Sequence, residues 1–60
     1  MTFKVVYDSD SYVNCIQFES DSFIDAARFY LTDKKYYGNY DDTNWSVTIY
    51  KNDDVIDSFS

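Results

Sequence analysis

The fold is decided at one junction in the chain, residues 16–27, which read IQFESDSFIDAA. Ile16 and Phe18 alternate with their neighbours and would share one face, as side chains of a half-buried strand do. Ser22 then suits the N-cap of a helix. Asp25, three residues later, resembles the acidic partner of a capping box and lies where the helix dipole favours negative charge. The junction therefore predicts a strand that leads directly into a helix.

The predicted helix begins after Ser22 and ends near Thr32. Its apolar side chains recur at spacings of three and four residues, which is typical of a stripe that faces a core. The predicted stripe consists of Phe23, Ile24, Ala27, Tyr30 and Leu31. Asp25 and Arg28 lie away from this stripe, and Phe29 lies at its margin.

A β-hairpin is predicted on each side of this helix. The predicted strands alternate with a period of two and cover residues 2–7, 12–18, 45–50 and 55–59. Turn-forming residues separate the members of each pair at 8–11 and 51–54. The order is ββαββ and the fold class is α+β, with one antiparallel four-stranded sheet and a single helix packed on one face. The order of the strands within the sheet stays open.

Length and charge limit the classes of partner. Sixty residues make one small domain, 1–60, and eleven acids against five bases give a net charge of -6. Five cations are too few for a phosphate backbone, and an anionic membrane would repel the chain. We expect a basic protein surface as partner, with no direct nucleic acid and no membrane, and a homodimer is compatible with the sequence. Because no apolar run approaches the ~20 residues of a membrane span, we expect a soluble, cytoplasmic protein.

The residues that usually carry catalysis are missing. The chain has no His, and its single glycine, Gly38, cannot form a glycine-rich phosphate loop. The lone Cys15 has no neighbouring cation, so we expect an inert thiol in the core. Asp8 and Asp10 are better explained as turn residues than as calcium ligands. We expect no enzyme activity, no cofactor and no metal.

The strongest functional signal is an aromatic and acidic loop at residues 34–44. It is longer than the usual connection of about 4–6 residues, and long ordered loops are often functional. We expect Trp45 and at least one tyrosine in the core, and the other tyrosines in recognition, for which Tyr is well suited. The predicted partner-binding residues are the aromatic and acidic residues of this loop and two acids of the last turn: Tyr36, Tyr37, Tyr40, Asp41, Asp42, Asp53 and Asp54.

In composition and layout the chain resembles small acidic phage proteins that inhibit host machinery, such as anti-CRISPR and anti-restriction proteins that imitate nucleic acid. The passage from strand to helix in residues 16–27 also looks like that in small phage inhibitors of RNA polymerase. No functional residue carries over. The resemblance implies a non-catalytic acidic inhibitor, acting in the cytoplasm of a host cell, that blocks the basic surface of a CRISPR effector, restriction enzyme or polymerase. The alternative is a structural or adaptor subunit that assembles through exposed sheet edges, its charge serving only solubility.

Overall fold

A computed structural model of the chain describes residues 1–39 and 44–60. The elements are, in chain order, β1 (Phe3–Ser9), β2 (Cys15–Ser20), α1 (Phe23–Tyr37), β3 (Trp45–Lys51) and β4 (Asp54–Phe59). All neighbouring strands are antiparallel and form one open sheet, with α1 packed on one face. The predicted ββαββ order and α+β class are confirmed. The strand order, which the sequence left open, is β2-β1-β3-β4.

The inner strands β1 and β3 supply most of the core. Val5 lies opposite Ile49 and Tyr7 opposite Val47, and Val5 and Val47 are completely buried. Alternation places these side chains towards the helix, where they meet Ala26 and Tyr30. The period-two pattern of the sequence thus gave the correct core face for both inner strands.

The helix begins as predicted but ends later. The Ser22 hydroxyl accepts a hydrogen bond from the backbone N–H of Asp25 at 3.3 Å, which confirms the N-cap. The end expected near Thr32 was wrong, because no helix breaker follows it and the two lysines of the last turn favour the negative end of the dipole. The helix therefore extends to Tyr37, and the backbone N–H of Gly38 donates to the Lys34 carbonyl at 2.9 Å.

The predicted apolar stripe of the helix was right for Tyr30, which is buried in the core, and wrong for Ile24 and Leu31, which are exposed. The residues that face the sheet are Ala26, Phe29, Tyr30, Asp33 and Tyr37, whereas Phe23, Ile24 and Leu31 are half exposed or more. Aromatic contacts determine which side of the helix faces the sheet. Phe29 stacks on Phe18 with ring centroids 4.9 Å apart, and Tyr30 meets the edge of Phe59 at 5.5 Å. Ala26 is fully buried, and its small side chain lets the helix approach the sheet closely.

Each edge strand contains one extra residue. Between Val5 and Val6 the partner in β2 changes from Phe18 to Ile16, so that Gln17 is left unpaired as a bulge. The bulge places Ile16 beside Val6 on the face away from the helix, while Phe18 faces the helix. The expectation that Ile16 and Phe18 share a face was therefore wrong. In β4 the register shifts in the same way, between Asp57 and Val55, with Ile56 as the extra residue.

The first hairpin has a longer turn than predicted. Asn14 adopts a left-handed φ of 52°, and its backbone N–H donates to the Asp8 carboxylate at 2.7 Å, so β2 begins only at Cys15. Tyr12 and Val13 consequently lie in the turn and are exposed. The expectation of a core Cys15 was wrong, because as the first residue of an edge strand it is only partly buried.

Candidate functional site

The aromatic residues predicted as a loop lie in the last turn of α1. Tyr37 stacks on Tyr7 with ring centroids 4.8 Å apart and lies 5.4 Å from the ring of Trp45. Burial, followed by the nearby Asp33 carboxylate, raises the pKa of Tyr37. Tyr36 contacts Tyr37 edge-on at 5.0 Å and keeps more than half of its surface exposed. Tyr37 is therefore largely structural, and Tyr36 is the exposed member of this pair.

The other predicted partner-binding residues fall into two groups. Tyr40, Asp41 and Asp42 lie outside the described residues. Asp53 lies in the turn between β3 and β4, and Asp54 is the first residue of β4; both are at the opposite end of the sheet from the end of α1. A strand as long as β3 spans about 20 Å, so the structure does not bring Tyr36 and Asp53 into one surface.

The turn that holds Asp53 and Asp54 is fixed by the backbone. Asn52 and Asp53 both have positive φ, 50° and 71°, as the two central residues of a type I′ hairpin turn do. Asn52 is tied to the start of β1, because its side-chain oxygen accepts from the Thr2 N–H at 2.9 Å and its own N–H donates to the Thr2 carbonyl at 2.8 Å. The turn therefore presents its two carboxylates at a defined place.

Acidic residues collect at this end of the sheet. Antiparallel pairing brings the end of β2, the start of α1 and the last turn together here. The acids of this end, called the acidic end below, are Glu19, Asp21, Asp25, Asp53 and Asp54. Lys4 and Lys51 are the lysines that the described strands place at this end.

Lys4 is the centre of the acidic end. Its Nζ forms an ion pair with Asp53 at 2.9 Å, and Glu19 lies opposite it on β2. The hydrogen bond and charge of Asp53 raise the pKa of Lys4, so the ammonium stays charged. Glu19 and Asp53 also line a shallow depression of about 300 Å³ together with Thr2 and Asn52. Two carboxylates with exposed oxygens thus flank one paired cation.

Sequence reasoning found two of these five acids and missed the other three. Asp53 and Asp54 were predicted as partner-binding residues because they form a turn. Glu19, Asp21 and Asp25 were interpreted only as part of the strand-to-helix junction. Their proximity to the last turn follows from the pairing of β1 with both β2 and β3. This proximity could have been predicted only if the strand order had been known.

A second surface of interest is the sheet face opposite α1, which nothing in residues 1–39 and 44–60 covers. We call it the open face. One row across it runs from Ile16 through Val6 and Thr48 to Ser58, and a second runs from Glu19 through Lys4 and Tyr50 to Val55. Val6 is only 5% exposed although no helix packs on it, because the neighbouring side chains surround it. Thr48 is satisfied by the hydroxyl of Ser58 at 2.9 Å.

A depression lies at the centre of the open face. Its volume is about 190 Å³ and its lining residues are Lys4, Val6, Asn14, Ile16, Tyr50 and Asp53. Ile16, which lines the depression, is more than half exposed, and so is Val55, which lies beyond Tyr50 in the second row. Neither sequence periodicity nor turn chemistry indicated this site, because it depends on the bulge that moves Ile16 to this face.

Tyr30, Asp33 and Trp45 each carry a buried polar atom. Burial, with the nearby Asp57 carboxylate, raises the pKa of Tyr30 to about 12, so the phenol stays neutral. The Tyr30 hydroxyl approaches Asp57 without reaching hydrogen-bond geometry; like Asp33 Oδ2 and Trp45 Nε1, it has no partner within the described part of the chain. Across residues 1–39 and 44–60, no three Cys, Asp or Glu side chains are grouped as metal ligands would be.

No helix within the described residues has the length and apolar character needed to cross a membrane. Comparisons of the chain with protein-family models, with curated proteins and with solved structures found no significant match. The functional argument therefore rests on the charges and surfaces of the chain itself.

Proposed function

We propose that this chain is a non-catalytic acidic inhibitor that binds a basic nucleic-acid-binding protein and blocks its surface. The observation that carries the proposal is the acidic end, where strand pairing brings the three acids of residues 19–25 to the same end of the sheet as Asp53 and Asp54. A surface of this kind attracts Lys and Arg side chains that otherwise bind phosphate. A CRISPR effector, a restriction enzyme and a polymerase all present such side chains.

The position of charge at the acidic end supports contact with side chains that otherwise bind phosphate. Glu19 and Asp53 lie on the two sides of Lys4, and both are exposed. Because these carboxylates lie at the surface and stay partly hydrated in a complex, an arginine of the partner pairs with them at a lower desolvation cost than in a fully buried ion pair. Such binding weakens as salt rises.

The edge strands favour the inhibitor over the alternative, an adaptor that assembles through sheet edges. The bulges at Gln17 and Ile56 interrupt the ladder on the two outer strands. Asp54 and Asp57 add negative charge to β4. Bulges and charges of this kind discourage a further strand from pairing with an edge.

The proposal is tested with purified enzymes. A restriction endonuclease, a CRISPR effector nuclease and a bacterial RNA polymerase are assayed with increasing amounts of the chain at about 50 mM and about 200 mM salt. We expect at least one enzyme to be inhibited at the lower salt, with relief at the higher salt and by excess nucleic acid. Absence of inhibition across the panel at both salt concentrations would refute the proposal.

Two double variants test which end of the sheet carries the charges that inhibition requires. Asp53→Asn with Asp54→Asn should weaken inhibition about tenfold, because it removes two charges of the acidic end. Asp8→Asn with Asp10→Asn removes the same charge from the opposite end and keeps an oxygen at position 8 to accept from Asn14. This control should inhibit nearly as well as the parent chain. Equal losses in both variants would show that only net charge matters.

A further inference from the structure

We infer that the open face is a docking surface for a segment of a basic partner protein that presents one apolar side chain flanked by lysine or arginine. The class of partner rests on the function proposed above. The location and the form of the segment rest on the shape, apolar character and charge of the open face.

The central depression fits one apolar side chain. Its floor is Val6, and Ile16 and Tyr50 stand at its sides. A volume of about 190 Å³ is of the size that holds a single benzene-like group in proteins, whose known apolar cavities of this kind measure about 150 Å³. Residues that dominate binding energy are large side chains seated in such pockets near the centre of an interface. A leucine or phenylalanine of the partner would meet apolar surface on three sides.

The carboxylates at the rim of the depression favour a basic residue beside that apolar side chain in the partner segment. Asp53 lines the depression directly, and Glu19 lies beside Lys4 in the row that crosses to Tyr50. Lys4 is already paired with Asp53, so the carboxylate of Glu19 and the second oxygen of Asp53 stay available to a partner cation. An apolar centre with a charged rim is the usual anatomy of a protein interface.

A second copy of this chain fits the open face poorly. Two open faces placed together would bring the acids of both copies, Glu19 and Asp53 among them, into one interface. Each chain carries a net charge of -6, so the repulsion between copies extends beyond the contact itself. Charge complementarity thus favours a basic partner.

The outer face of the helix is the competing apolar surface. Ile24 and Leu31 are each about 60% exposed there. Arg28 and Lys35 occupy the same face, because positions 24, 28, 31 and 35 follow helical spacing. These two cations would repel a basic partner, so the helix face lacks the charge that the open face offers.

The inference is tested by NMR of the ¹⁵N-labelled chain in solution, to which three synthetic peptides are added in turn. The first peptide has one leucine between pairs of arginines, the second replaces the leucine with serine, and the third replaces the arginines with glutamates. We expect the first peptide to shift the amide resonances of Val6, Ile16 and Tyr50. The second should bind about tenfold more weakly, and the third should cause no shift.

Two matched variants complete the test. Ile16→Gln and Ile24→Gln change the same residue type at similar exposure, on the open face and on the helix. Ile16→Gln should weaken binding of the first peptide about tenfold, while Ile24→Gln leaves it unchanged, with both folds checked by melting temperature. Shifts centred on the helix, equal binding of the serine peptide, or no binding would each overturn the inference. Binding at the open face without inhibition of any enzyme would instead refute only the proposed function.

Discussion

Tyr37 and Tyr7 stack with ring centroids 4.8 Å apart, which joins the last turn of the helix to the middle of the first strand. The sequence had placed Tyr37 in a loop beside Tyr36. The two tyrosines are adjacent in the chain, but one contributes to the core and the other is exposed. This difference gives a direct test of the helix end.

Replacing each tyrosine by alanine should have unequal effects on stability. Tyr37→Ala removes contacts with Tyr7 and Trp45, and we expect it to reduce the free energy of unfolding by about 2–3 kcal/mol. Tyr36→Ala removes an exposed side chain and should cost about 0.5 kcal/mol or less. Urea unfolding of both variants measures the difference. Equal costs would show that the two side chains are equivalent and that the helix ends earlier.

Trp45 should be essential to the fold. It is 7% exposed and its ring lies 5.4 Å from the rings of both Tyr37 and Phe59. Trp45→Ala should cost about 3–5 kcal/mol, which is a large part of the stability of so small a domain. Trp45→Phe keeps most of the apolar contact and removes a buried indole N–H that has no partner within residues 1–39 and 44–60, so its cost should be clearly smaller. Far-ultraviolet circular dichroism during urea unfolding compares the two, and a stable Trp45→Ala chain would contradict the described core.

The helix cap provides a smaller, local test. Ser22→Ala removes the acceptor for the Asp25 N–H and should reduce stability by about 1 kcal/mol. Ser11→Ala, in the exposed turn of the first hairpin, serves as the control and should change stability by less than about 0.5 kcal/mol. Thermal unfolding measures both. A loss as large for Ser11→Ala as for Ser22→Ala would argue against a specific cap.

Asp33 should make stability depend on pH. Burial raises the pKa of its carboxyl above the ordinary value of 3.8. The unfolded chain therefore releases this proton at lower pH than the folded chain does, and stability falls as pH rises from about 3.8 through the higher folded-state pKa. Asp33→Asn should raise the melting temperature at neutral pH and lose this advantage below pH 3.8.

The control for Asp33 is Asp10→Asn, which neutralises an exposed carboxylate in the first hairpin turn. Melting temperatures of both variants are measured from pH 7 down to about pH 3. If Asp10→Asn were to stabilise the chain as much as Asp33→Asn at neutral pH, the effect would come from net charge and not from burial.

The part of the fold that could be predicted is the part fixed by local chemistry. Alternation identified the four strands, and the Ser22 cap identified the start of the helix. The end of the helix was missed because residues 33–37 contain neither proline nor glycine, and their polar side chains do not distinguish a helix end from a loop. The rotation of the helix was missed because contacts with Phe18 and Phe59 set it, and these belong to distant strands.

The candidate site was predicted only in part, for a similar reason. Asp53 and Asp54 could be assigned to a turn from sequence alone. The contribution of Glu19 depends on the strand order, and the position of Ile16 depends on a one-residue bulge that periodicity does not reveal. The surfaces of the chain therefore follow from long-range pairing more than from any single segment.

The bulges at Gln17 and Ile56 also bear on the concentration that the protein can reach without aggregating. A blocker without turnover occupies its target mole for mole, so it acts only when it accumulates to at least the concentration of that target. At such concentrations an open sheet with two regular edges would invite growth of fibrils. An interrupted ladder on both outer strands slows that growth, and under the function proposed above it would let the chain accumulate to the concentration that a stoichiometric inhibitor needs.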